Sequence, residues 1–156
     1  MEFKKPSFSR KRTEVVLLPE LVPSSAWNVN LRSELKAVRW DEIRKFVYRR
    51  AGYRCEICGG RGVKHPVEAH EKWEYKKGVQ RLVGLLALCP SCHECKHLGL
   101  AEVRGRLEVV IGQMIKVNGM SRAEVLKIVE GAKREWFERS KSGWILDLSH
   151  IETLEC

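Results

Sequence analysis

No stretch of this sequence stays apolar for the ~18 to 20 residues that a membrane span needs. The basic opening, MEFKKPSFSRKRTEVV, also lacks the continuous apolar core of a secretory signal. Both absences favour a cytoplasmic protein with reduced thiols and no membrane partner. There is no internal repeat and no low-complexity tract, which excludes a solenoid or a compositional tail. Acidic residues are scarce: 20 Asp and Glu stand against 29 Lys and Arg, a net charge of +9. That balance favours a polyanionic partner, nucleic acid first, because each phosphate contact releases counterions. Asparagine is missing from Leu31 through Val117.

Cysteine and histidine are few but concentrated. Of six cysteines and five histidines, three and two fall in the nine positions from Cys89 to His97. A second Cys-x-x-Cys, Cys55 and Cys58, lies upstream, and His65 and His70 stand between the pairs. Two such knuckles offer four thiolates at tetrahedral corners, the shell of a structural zinc ion. A redox dithiol or two disulfides are the competing readings. Neither explains the shared spacing or the glycine or proline beside a cysteine in each pair. A chain of 156 residues can bury a real core, so zinc would supplement hydrophobic burial here. Cys95 reads as a packed helix residue, and Cys156 is a terminal thiol without an inferred role.

The pattern along the chain is α+β. Residues 1–14 form a basic arm and 15–39 an irregular segment broken by Pro19 and Pro23. The stretch WDEIRKFVYRRAGYRC predicts a helix with Asp41 at its cap or in its first turn. Ile43, Phe46 and Val47 give it helical spacing, and Gly52 ends it. VEAHEKWEY and LVGLLALC predict two strands of a hairpin joined by the basic loop KKGVQR. Trp73 and Tyr75 give the first strand an aromatic face, better suited to core packing than to base stacking. His93 to Glu102 reads as helical. Two further helices follow from 102 to 156, as a C-terminal extension. The first shows an apolar face of Val103, Leu107, Val110, Ile111 and Met114. The second opens with the capping box Ser121–Glu124. The segment GWILDL predicts a last short strand. The two late helices either pack on the preceding module or bind a protein partner.

If the segment after Cys92 is helical, His93 and His97 lie one turn apart on one face. His70 sits in the hairpin that the knuckles draw back towards that helix. Three imidazoles with open positions make a catalytic layout, which a closed four-sulfur shell is not.

Residues 40–101 resemble the HNH endonucleases, on WDEIRKFVYRRAGYRCEICGG, then VEAHE, then LLALCPSCHECKH. The resemblance implies a ββα-metal fold, preceded here by one helix and followed by two packed helices. It also implies metal-dependent hydrolysis of DNA phosphodiesters, the cation being magnesium or another divalent ion. Double-stranded DNA is the expected partner. The family's first motif is a metal ligand followed by a histidine base. In one register His70 is the base and Ala69 leaves the metal a ligand short. In the other, His70, His93 and His97 hold the metal and Glu71 is the base, unless Glu71 is a surface charge or holds a histidine tautomer. The catalytic candidates are therefore His70, Glu71 and His93. The family asparagine falls on Gly84, with Gln80 or the remote Asn30 as substitutes. This gap keeps open the alternative of a zinc-stabilised nucleic-acid-binding module without catalysis. The candidate phosphate track is Arg49, Arg50, Arg54, Lys72, Lys76, Lys77, Arg81 and Lys96.

Overall fold

The computed structural model describes residues 16–27 and 29–156. The basic arm 1–14 lies outside them. Among the described residues the fold is mixed α+β, with six α-helices and one three-stranded sheet.

Strands β1 (Glu68–Lys76) and β2 (Val79–Leu88) form an antiparallel hairpin, and β3 (Ile145–Asp147) adds to β2 in parallel. The turn is only Lys77 and Gly78, both left-handed at φ 50° and 76°, as a type I′ turn requires. The expected six-residue loop is thus corrected: Val79, Gln80 and Arg81 belong to β2. The register shifts between Lys72, opposite Gly84, and Trp73, opposite Leu82. Val83 is the extra residue of this bulge, so Leu82 and Leu85 are both buried despite their odd spacing.

Helices α1 (Leu31–Glu34) and α2 (Ala37–Arg50) precede the hairpin. Because α2 starts at Ala37, Asp41 lies a turn inside it and pairs with Arg44 and Lys45; the capping role expected for it is not found. After the hairpin, Pro90 opens α3 (Pro90–Lys96) at a position where its missing N–H costs nothing. His97 breaks the helix at φ −99°, ψ 50°, and α4 (Leu98–Val103) follows. The single helix expected from His93 to Glu102 is therefore two, and a boundary after 101 falls inside α4. Next come α5 (Leu107–Asn118), ended by left-handed Gly119, and α6 (Arg122–Ser140), capped by Ser121 and Glu124 as expected. Val103 ends α4 and is exposed, so it drops out of the apolar face expected for α5.

Two apolar clusters flank the hairpin. One gathers Leu17, Leu88, Leu98, Ile111 and Met114 beneath α3, α5 and α6. The other packs Ile43 and Val47 of α2 against Val67, Ala69, Leu82 and Leu85, with Trp73 at its edge. Tyr75 meets the Trp144 ring edge-on at 5.1 Å. The segment 16–18 is apolar but forms no strand. The Asn118 side chain holds it instead, accepting from Leu17 N at 2.8 Å and donating to Leu17 O at 2.9 Å. No described helix is long and apolar enough to cross a membrane.

Candidate metal centres

Cys55 and Cys58 sit on the turn after α2, while Cys89 and Cys92 bracket the first turn of α3. The hairpin carries the chain between them. Their four sulfurs lie within 4.8 Å of one another, and none of the cysteines is bridged. The Cys58 and Cys89 sulfurs are 3.7 Å apart. Zinc–sulfur bonds of about 2.3 Å at tetrahedral angles put neighbouring sulfurs about 3.8 Å apart, whereas a disulfide needs about 2.05 Å. Gly60 N donates to the Cys58 sulfur at 3.4 Å, and Gln113 of α5 donates to that of Cys92 at 3.4 Å. Such donors steady thiolates from outside the shell. The thiol chemistry points the same way. A hydrogen bond shared with Cys92 brings Cys55 down to about 4, while that bond and burial push Cys92 up. Four anionic sulfurs this close repel one another, and a divalent cation removes the conflict. The donor set fits zinc.

Cys95 stays outside the cluster. It is fully buried, its thiol donating to Ser91 O and Val110 O, and burial pushes it up to about 12.

The second group is His70, His93 and His97, each offering a nitrogen within 4.8 Å of the others. The Nε2 atoms of His93 and His97 are 3.0 Å apart although His97 lies past the end of α3. Two nitrogens bound at about 2.1 Å and at right angles to each other are also about 3.0 Å apart. His70 is 3% exposed, and among the described residues its buried Nδ1 has no hydrogen-bond partner. Its Nε2 meets Glu20 Oε2 at 2.8 Å. Glu68, two residues back on the same face of β1, meets Nδ1 of His93 at 2.5 Å and Nε2 of His65 at 2.6 Å. An orphaned nitrogen among three converging imidazoles, two backed by carboxylates, fits a cation. Imidazole suits borderline transition ions, whereas magnesium seeks oxygen. The carboxylates of Glu20 and Glu68 are already committed to imidazoles and, for Glu20, to Lys96, so these residues do not make the oxygen shell expected for magnesium.

Burial and the neighbouring imidazoles bring His97 down to about 4. Burial lowers His93 too, against the pull of Glu68. Burial raises Glu20, but its hydrogen bond to His70 and the charge of Lys96 outweigh that and bring it to about 2.

Strand alternation sends Ala69 and Glu71 to the face opposite His70. Ala69 packs among the core residues, and Glu71 Oε1 accepts from Leu31 N at 3.1 Å, at the start of α1. Its charge still acts on His93. Gly84 has open space around it, and Gln80 is buried with its Nε2 unpartnered.

Of the phosphate track, Arg49, Arg54, Lys72, Lys76 and Lys77 are exposed. Arg50 is tied to Glu56 and Leu85 O, and Arg81 to Asp147. Lys96 is a correction. It is 4% exposed and its Nζ pairs with Glu20 at 2.7 Å, so it is a buried ion-pair partner and not a surface cation.

Glu20 and Glu68 were not among the expected site residues. Alternation with His70 could have revealed Glu68, whereas Glu20 reaches the site only through tertiary packing. No protein-family model, curated protein or solved structure matches this chain.

Proposed function

We propose that this protein is a metal-dependent endonuclease that hydrolyses DNA phosphodiester bonds on an HNH-like ββα-metal module held together by structural zinc. The observation that carries the reading is the convergence of His70 from β1 with His93 and His97 around the end of α3. His70 joins the other two rings, which favours the register with three metal ligands. A cation bound there would supply charge stabilisation for the scissile phosphate and its leaving oxygen. The donor chemistry favours zinc or nickel over magnesium. For Glu71 to take the proton of the attacking water it must release Leu31 N and turn from the opposite face of β1 towards the cation. Exposed Arg49, Arg54, Lys72, Lys76 and Lys77 provide backbone contacts independent of sequence.

Plasmid nicking across zinc, nickel, manganese and magnesium, comparing the parent with His93→Ala, tests this reading. The parent should cut with at least one of these ions and the variant should not; equal cutting by both discards it. A second reading, a DNA-binding module without chemistry, is favoured by the Glu71–Leu31 hydrogen bond and the bare Gly84. If the parent cuts, Glu71→Gln separates the two registers: cutting is abolished and metal affinity retained if Glu71 is the base, whereas turnover is unchanged if His70 is.

A further inference from the structure

We infer that Glu20 is a positioning residue for the three-imidazole centre, fixing which nitrogen of His70 faces the cation. This rests on the reading of that centre as a cation site. Glu20 lies on a strap between the apolar run at Val16 and the short 3₁₀ helix Ser24–Ala26. Four residues on three helices hold the strap from outside the hairpin. Asn118 grips Leu17, Lys96 O accepts from Glu20 N at 3.0 Å, and Trp136 Nε1 donates to Val22 O at 3.0 Å. Ser24 N donates to Ser140 Oγ at 2.9 Å. The two C-terminal helices therefore have a purpose at the metal centre, although neither contributes an imidazole.

The Glu20 carboxylate is spent in two directions. Oε1 takes the ammonium of Lys96 at 2.7 Å, and Oε2 takes Nε2 of His70 at 2.8 Å. Lys96 is nearly inaccessible, so its charge anchors the carboxylate in place. A carboxylate accepts only, and a neutral imidazole has one N–H and one lone pair. Facing Glu20, His70 must carry its proton on Nε2, which leaves the lone pair on the buried, unpartnered Nδ1. Glu68 imposes the opposite choice on His93, with the proton on Nδ1 and Nε2 turned to His97. Two carboxylates thus select different nitrogens on two rings, and on each ring the lone pair falls on the nitrogen that its carboxylate does not take. A mere ion-pair staple between Glu20 and Lys96 would not require this selection.

The test uses the full chain with zinc in its four-sulfur site. Long-range nitrogen–proton NMR without a second ion should find the His70 proton on Nε2. Nickel titration by calorimetry then compares the parent with Glu20→Met/Lys96→Met, which removes the buried pair and the acceptor while keeping apolar volume. Nickel affinity should fall about ten- to hundred-fold, and the tautomer preference of His70 should disappear. A His70 proton on Nδ1 in the parent, or affinities within about twofold of each other, overturns the inference. If the double variant does not fold, the parent tautomer decides. If the parent takes up no nickel at the imidazoles, the cation reading fails by itself, and the tautomer still decides whether Glu20 governs His70.

Discussion

Glu68 of β1 reaches across to His93 of α3, with its Oε2 2.5 Å from Nδ1 of that ring. The contact couples hairpin to helix at the centre of the site and fixes the orientation of His93. Burial raises Glu68, but hydrogen bonds to His93 and then His65 outweigh it and hold the carboxyl below its usual range. Glu68→Ala should therefore weaken cation binding and cutting by roughly 10- to 100-fold while leaving the four-sulfur site loaded. His65→Ala should change either quantity by less than about threefold, because half of the His65 side chain is in solvent (51%). Calorimetry with nickel and metal analysis of the purified variants check both. Equal effects from the two substitutions would count against Glu68 as the group that orients His93.

The two roles of cysteine can be separated in the same way. Cys92 is fully buried within the sulfur cluster, and Cys95, one turn on, is fully buried outside it. Structural zinc contributes on the order of 10–16 kcal/mol in small metal-folded peptides, as much as the whole stability of a typical domain. Cys92→Ser should lose the ion and the hydrogen-exchange protection of β1, β2 and α3, with no simple shift in melting temperature. Cys95→Ala should keep one zinc per chain and cost about 1 kcal/mol, the scale of a small cavity and two weak thiol contacts. Retention of zinc by Cys92→Ser would discard the four-sulfur assignment.

Lys96 and Lys72 look alike in the sequence and differ in the fold. Lys96→Met should leave the salt dependence of DNA binding unchanged and destabilise the protein by roughly 2 kcal/mol, below the ~3–5 kcal/mol of a fully buried pair broken on one side. The reduction reflects Glu20, whose side chain remains 31% exposed. Lys72→Ala, Lys76→Ala and Lys77→Ala should each lower the salt slope of binding by about 0.9 with little effect on melting. Binding isotherms at several salt concentrations, beside thermal melts, separate the two classes.

What could be read from the sequence was whatever chemistry leaves as local spacing. The Cys-x-x-Cys pairs, the His93–His97 interval and the Ser121–Glu124 box each declare themselves within a few residues, and the fold uses all three. Even there the reason differed in part. His93 and His97 meet although His97 has left the helix, its backbone at φ −99° and ψ 50°. What stayed hidden depends on distant packing. Glu20 lies fifty positions from His70 and is delivered by contacts of the strap with Asn118 and Trp136. Lys96 is buried because that strap covers it. The start of α2 at Ala37 has no side-chain cap, and the acidic Asp41, the residue with the capping chemistry, lies a turn further in.

Gly62 tests whether the first knuckle must close tightly on α3. A Cβ there would stand 2.2 Å from His65 O and 2.6 Å from Cδ of Pro90. Neither obstacle can swing aside, since one is backbone and the other is the ring that opens α3 between Cys89 and Cys92. Its own N–H is also committed, to Pro66 O at 2.9 Å. Gly62→Ala should therefore push the Cys55–Cys58 turn away from Pro90, costing about 1–3 kcal/mol by overpacking and loosening zinc. Gly84→Ala supplies the contrast: nothing lies within 4 Å of its would-be Cβ, and no left-handed φ is involved. That change should be neutral or stabilise slightly, because alanine gives up less backbone freedom than glycine on folding. Competition with a zinc chelator should strip Gly62→Ala well before the parent, and strip Gly84→Ala together with it. Equal resistance in all three proteins would mean that the knuckle does not need its contact with Pro90 to hold the ion.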